Sequence, residues 1–400
     1  MKMFAKIVAG LAGVVLGGSV AFGAITNLMY EDSKYDKNKI FTLEQVVGWQ
    51  YFFDETDYND RIEGLYRGYV SALGNSDTRY LTEEEAEVWI AGDNGKYVGV
   101  GIKFTWGVTS QYLVVTQVIE GSPADIMGIS VGDRITQIDG IYAMMSNEDK
   151  IYDKLSYSGD DIVTYTILKM SGIDEGQTLD KPLWVEELDS EICTTMVLED
   201  EIGYIKLNNL KKGATDIIVD GIASMEGVSG WIIDLRYVSD ADLDEVLEFT
   251  DILTDTGEMF YSVDRKGETT YYNSVSQKTD EDIVLLVNSS TSGIVEALVA
   301  AVKQDDYITI VGTQTAGSAS IQDFVRLEDG SALLISTQHL FLPDDTPIGT
   351  SPIEAEVYVD LDIDYTLKLV TEGVSDLELD NQLQTALQLV LQNSKVSDNN

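Results

Sequence analysis

Residues 96–104 read KYVGVGIKF and residues 118–140 read VIEGSPADIMGISVGDRITQIDG. In the first stretch Val98, Val100 and Ile102 alternate with Gly99 and Gly101, the period of a strand, and Tyr112 to Ile119 forms a second apolar strand. Gly121-Ser122-Pro123-Ala124 ends it. Ser122 can cap a helix and Pro123 suits a first helical position, so a short helix to Met127 is expected, closed by Gly128 in the left-handed conformation. Gly132-Asp133 leads into a strand at Arg134–Ile138, and Asp139-Gly140 is a tight-turn pair. A helical turn at Tyr152–Leu155 and a strand at Ile162–Leu168 complete a β-rich domain over residues 95–185.

Outward from this domain the pattern changes on both sides. Upstream, residues 31–94 read as helical. Thr42 with Gln45 has the form of a capping box stapled by Phe41 and Val46, and Thr82 with Glu85 repeats the box. Between them Ile62, Leu65, Tyr66, Tyr69, Val70 and Leu73 keep helical spacing. Downstream, residues 186–372 alternate strand and helix. Strands are expected at Gly203–Leu207, Gly230–Leu235, Ile283–Val287, Tyr307–Val311 and Ser331–Leu342, and helices at Ala214–Met225, Leu243–Leu253 and Ile294–Val302. Buried runs such as IVLLV imply an α/β layer structure. Residues 373–400 hold a helix with Leu383, Ala386, Leu387, Val390 and Leu391 on one face, then a polar tail from Ser394.

Composition narrows the function classes. With 69 acidic and 26 basic residues the formal charge is −43, which repels nucleic acid and anionic lipid surfaces. One cysteine, Cys193, excludes an intramolecular disulfide, and one histidine, His339, excludes multi-histidine metal sites. No EF-hand spacing is present, and no cofactor or metal is expected. At the N-terminus Lys2 and Lys6 precede Ile7–Ile25, a run of apolar, Gly and Ser residues. Residues 1–30 are therefore a signal-anchor, or a signal peptide cleaved after Ala21-Phe22-Gly23, and the rest of the chain is expected outside the cytoplasm.

The two opening stretches resemble the PDZ domain of carboxyl-terminal processing serine peptidases, the tail-specific proteases. The resemblance extends from about residue 45 to 392. RIEGLYRGYVSALGNSDTRYLTEEE, EIGYIKLNNL, GWIIDLR, IVLLVNSS, ITIVGTQTAG, LEDGSALLI and DNQLQTALQL follow the family's order. The resemblance implies a multidomain α+β fold: an N-terminal helical segment, a PDZ-like β domain and an α/β peptidase-like core with ClpP/crotonase-like layers. It also implies that the loop formed by Val98, Gly99, Val100, Gly101 and Ile102 receives a peptide C-terminus, whereas the residues alone are equally a tight strand entry. A dinucleotide loop is excluded, because GVG lacks a third glycine and a following helix.

The same resemblance implies a degenerate catalytic site. The family nucleophile is a serine three residues before a glutamate; here Gly293 stands three before Glu296. The family's general base is a lysine, and Ser318 occupies its position. The family's Asn-Pro-Gly-Gly turn after Asp-Leu-Arg is replaced by Tyr237-Val238-Ser239-Asp240. Glycine offers no nucleophile, and serine is no base near neutral pH. Ser292 is the fallback nucleophile, although a serine there reads first as the cap of helix Ile294–Val302. His339 reads as a strand residue, and Asp240, Asp242 and Glu245 as a solvated acidic face. The chain is expected to be a pseudopeptidase that binds peptide or protein C-termini, the alternative being a serine endopeptidase with a displaced nucleophile. Its oligomeric state stays open.

Overall fold

Apolar runs of five or six residues build the central sheet. The computed structural model describes residues 37–51, 57–75, 77–148, 150–151, 162–198, 201–276, 282–304 and 308–397. The N-terminal span expected at 1–30 and the helical turn expected at 152–155 lie outside them. Among the described residues no helix is long and apolar enough to cross a membrane.

The chain divides into two units, the smaller formed by residues up to Tyr69 with Leu327–Asp329. In the smaller unit the helix Lys37–Gln50 and the start of the helix Tyr58–Ser71 are joined by Arg61 to Glu44 at 3.1 Å. The helix begins at Lys37, so Thr42 lies within it and is not its cap, and Phe41 and Val46 are both exposed rather than stapled. The local capping pattern was satisfied by residues already inside a helix. The Thr82–Glu85 box, by contrast, is made in both directions ahead of Glu83–Asp93.

In the larger unit a six-stranded sheet runs Cys193–Val197, Ile202–Leu207, Gly230–Asp234, Asp282–Val287, Ile308–Gly312, Val357–Tyr358. Its first pair is antiparallel and the rest are parallel. One face packs on Ala214–Ala223, Leu243–Leu253 and Val295–Val302 through residues such as Ile218, Phe249 and Leu298. The opposite face receives Leu383, Ala386 and Val390 of helix Asn381–Ser397, which continues through the stretch expected to be a polar tail.

A second, antiparallel sheet is one the sequence pattern does not reveal. Ala332–Phe341 pairs with Arg79–Leu81, Gly257–Asp264, Ile321–Arg326 and Pro347–Ile348, and Gly257–Asp264 pairs with Thr269–Ser274. The segment expected to be all-helical therefore contributes a strand. This sheet explains why all eight residues of VEALVAAV are buried. Val295, Leu298, Val299 and Val302 face the parallel sheet, while Ala297, Ala300 and Ala301 face the antiparallel one. Small residues permit the closer approach, and the N-terminus of this helix is fixed between two layers.

The β-rich domain has its own sheet, Ile102–Trp106, Leu113–Val118, Arg134–Ile138, Val163–Leu168, Thr178–Leu183, with Ile102–Trp106 at its edge. Ser122 caps the short helix Pro123–Ile126 by accepting from the Asp125 amide, and Gly128 has φ of 72°. Asp139 and Gly140 both have positive φ and turn the chain into Ile141–Tyr142. Lys169 and Asp133 are both buried and bonded to each other. After this sheet the chain returns as Glu186–Asp189 to pair with Lys96–Gly99.

A buried ion network joins the layers. Arg236 bonds Asp234 at 2.6 Å and Asp380 at 2.7 Å, with Gln382 and Tyr204 completing the set. Burial pushes the Asp234 carboxyl up, but the Arg236 charge and its hydrogen bonds outweigh this and hold it below the usual range. Its stabilising contribution is therefore present above the ordinary carboxylate range and is lost as pH falls through and below that range. Arg236→Ala is expected to lower stability in urea melts at pH 7 by about 3–5 kcal/mol, because two buried carboxylates lose their partner. Adding Asp380→Asn to that variant is expected to recover part of the loss.

Candidate functional site

The parallel strands end on one edge, where the loops after Asp234, Val287 and Gly312 meet. Thr291, buried, donates its hydroxyl to the Leu235 carbonyl and receives the Ala316 amide at its own carbonyl, so one residue ties three loops together. The Asn288 side chain accepts from the Tyr237 amide at 3.1 Å. These bonds place Gly293 opposite Ser318, with the Gly293 amide donating to Ser318 Oγ at 3.4 Å.

Glu296 holds this arrangement from beneath. Its carboxylate is fully buried and accepts from Thr315 Oγ1 at 2.7 Å and the amides of Gly317 and Ser318, both at 2.8 Å. Ser318 Oγ adds a longer contact at 3.4 Å. A buried carboxylate demands such donors, and here one loop supplies all of them. Gln322, farther along, donates to the Asp77 carbonyl and so joins strand Ile321–Arg326 to the segment before Arg79–Leu81.

Ser292 is not the helix cap. The helix starts at Val295, Ile294 occupies the cap position without a side-chain bond, and the Ser292 amide donates to the Val238 carbonyl. Two residues of turn, Gly293 and Ile294, intervene because Gly293 takes a left-handed φ of 67°. Ser292 and Gly293 line a cleft of about 820 Å³ with Asp77, Trp89, Lys211 and Asp240. Among the described residues no lysine, histidine or carboxylate is hydrogen-bonded to Ser292 Oγ. His339, exposed, lies in register with Val263 and lines a second cavity on the side of Ser318 that also holds Asp264.

Lys211 is the residue that sequence reading missed. Its side chain is only 6% exposed, and its ammonium contacts Asp242 at 2.9 Å, Asp240 at 3.2 Å and Asp93 at 3.4 Å, with the Trp89 ring 5.4 Å away. The acidic group expected to be a solvated face is thus largely the counter-charge of a buried lysine. Glu245 has another task, accepting from the Gly213 and Thr215 amides at the start of helix Ala214–Ala223. The legible signal was the basic pair Lys211-Lys212 straight after a buried strand and two asparagines.

The electrostatics decide what Lys211 can do. Burial pulls its pKa down, but the Asp240 and Asp242 carboxylates outweigh it and hold the ammonium above its ordinary value. A lysine held charged cannot take a proton from a hydroxyl. Asp242 is pushed up to about 6, first by burial and further by Asp93, against the opposing charge of Lys211.

Three amides beside Gly293 and its facing loop are engaged: Tyr237 by Asn288, Ser292 by Val238 and Gly293 by Ser318. Tyr237 carries φ of 68°, the strained conformation a glycine takes without cost. Of the peptide-loop candidates, Val98 and Gly99 lie in strand Lys96–Gly99, Val100 and Gly101 form the bend, and Ile102 opens the edge strand. The Val100 and Ile102 side chains are core residues, so any ligand contact there is to backbone.

Residues 201–359 match Peptidase family S41 and residues 114–169 match a PDZ domain. The chain is 27% identical over 298 residues to carboxyl-terminal-processing peptidase 3, chloroplastic, of Arabidopsis thaliana, covering 71% of this chain and 57% of that protein. It is 24% identical over 397 residues to the carboxy-terminal-processing protease of Bartonella bacilliformis, covering 94% and 88%. Among solved structures, the photosystem II D1 C-terminal processing protease superposes with a TM-score of 0.50 at 21% identity, over 83% of this chain and 90% of that one. The chain spans less than two thirds of the length of the Arabidopsis relative.

Two measurements check this site. Glu296→Gln presents an amide to the Gly317 and Ser318 amides, and a drop of about 1–3 kcal/mol in urea melts is expected. Asp242 is expected to titrate near pH 6 by carboxyl-carbon NMR, and Asp93→Asn to lower that midpoint. Because the folded value stands above the unfolded one of about 3.9, Asp242 subtracts from stability as pH rises between the two.

Proposed function

From the premise that this chain carries a PDZ domain and a peptidase family S41 domain and is related to the carboxyl-terminal processing peptidases, we propose that it is a pseudopeptidase that binds peptide C-termini. The observation that carries this reading is the pairing of Gly293 with Ser318 at 3.4 Å. The positions that the family resemblance gives to nucleophile and general base are in direct contact, and neither residue can perform its step. Engaged amides around Tyr237 and a charged Lys211 support the same reading. The run at residues 7–25 would either hold the protein at a membrane or be removed after export, with binding carried out outside the cytoplasm.

An endopeptidase acting through Ser292 is the competing reading, and it requires a base that the cleft does not offer in neutral form. Incubation of the purified protein with reduced, unfolded casein is expected to give no cleavage above the buffer control. Gly293→Ser with Ser318→Lys is expected to raise cleavage at least about tenfold above that control, a modest gain because a side chain at left-handed φ costs about 1–2 kcal/mol. Cleavage by the natural sequence that Ser292→Ala abolishes would overturn the proposal.

A further inference from the structure

We infer that the Tyr97 hydroxyl occupies the place of a ligand carboxylate in the loop Gly99–Ile102, so that the loop is capped from within and a C-terminal peptide must displace this side chain. The inference rests on the peptide-binding reading and adds a gate to it.

The geometry begins with Gly99. A Cβ at that position would lie 2.5 Å from the Tyr97 hydroxyl oxygen and 2.7 Å from its Cζ, so the ring lies directly across the glycine. Gly101 has φ of 85°, and a Cβ there would lie 2.1 Å from the Cβ of Ser122, the cap of the neighbouring helix. The bend is thus pressed against that helix on one side and covered by Tyr97 on the other.

Backbone polarity then sets where the amides point. The Val100 carbonyl accepts from the Ala124 amide at 3.0 Å and the Gly101 carbonyl from the Ile119 amide at 2.9 Å, so both carbonyls are turned inward. Ile102 is opposite Val118, and the bond from Ile119 to Gly101 makes this a non-hydrogen-bonded pair. In an antiparallel ladder the Ile102 amide then points away from its partner strand, to the open edge of the sheet. Tyr97 stands there. Burial raises the pKa of its phenol, while the Gly101 and Ile102 amides facing the oxygen lower it, and the net result is above the ordinary value. The hydroxyl is therefore neutral, and it lies over the loop whose amides would bond strongly to a charged carboxylate.

The consequence is selectivity by charge. A neutral peptide end gains nothing by evicting an equivalent neutral acceptor, whereas an ionised carboxylate does. Tyr97 itself is anchored because its strand is clamped by Glu186–Asp189, with Lys96 bonded to Asp189 at 2.7 Å.

Tyr97→Phe keeps the ring and removes only the oxygen. Two readouts on the purified full chain test the inference. By hydrogen–deuterium exchange, the Gly101 and Ile102 amides are expected to exchange several-fold faster in the variant. By fluorescence anisotropy with a labelled Gly-Ser decapeptide ending in Leu-Val, the free-acid form is expected to bind the variant roughly tenfold more tightly than the natural protein. The C-terminally amidated form is expected to show no gain. Unchanged amide exchange would overturn the cap. Weaker free-acid binding, or an equal gain for both peptides, would overturn the competition. Faster exchange with no binding to either protein would leave the cap in place and defeat the peptide-binding reading instead.

Discussion

Arg236 is the point from which the rest of the larger unit can be reasoned. Its guanidinium is 6% exposed and is shared between Asp234, at the end of a central strand, and Asp380, just before the last helix. Charges this deep are tolerated only when each is matched. The match forces the chain to place residue 380 beside residue 234, which lays helix Asn381–Ser397 across the far face of the parallel sheet. The next residue, Tyr237, begins the loop that lines the cleft. One buried ion network thus sets both the outer layer and the starting direction of the site loop.

The site itself is organised by a second buried carboxylate. Glu296 needs several donors, and the loop 315–318 folds so as to deliver two amides and a hydroxyl to it. The family resemblance gives the position of Ser318 to a lysine. Here the hydroxyl of Ser318 bridges Glu296 and the Gly293 amide, closing the space between the two positions. The strong positive charge of this region lies instead at Lys211, already matched by Asp93, Asp240 and Asp242.

Much of this was legible before the structure. Continuous apolar runs such as Ile283–Val287 identify the parallel strands, because both of their faces are covered and nothing interrupts them. The Ser122-Pro123 start and the Asp139-Gly140 turn were legible because each needs a particular backbone chemistry that few residues supply. Gly257–Asp264 and Thr269–Ser274 were not. Their outward faces carry Glu258, Thr269 and Asn273, and their inward faces are too short to show a clean alternation. Thr42 and Ser292 failed for one shared reason. A capping residue is a local signal: at Thr42 the helix is already present from Lys37, and after Ser292 it starts only at Val295. The basic pair at Lys211 was visible but its role was not, because its partners lie 31 and 118 residues away.

The two halves of the site also differ in how much the fold depends on them. Gly293 and Ser318 are partly exposed turn residues whose side chains contribute no core packing. Substitution at such positions leaves the layers intact. Glu296 and Arg236 are core polar groups, and their loss would leave buried atoms without partners. The bend at Gly99–Ile102 is tied to the core in the same way, through Val100, Ile102 and the close approach of Gly101 to Ser122. Side chains at these two positions can therefore change without disturbing the structure, whereas the backbone of the bend at Gly99–Ile102 cannot be lost without the domain. That asymmetry is the physical reason why, on the proposed reading, binding would outlast cutting.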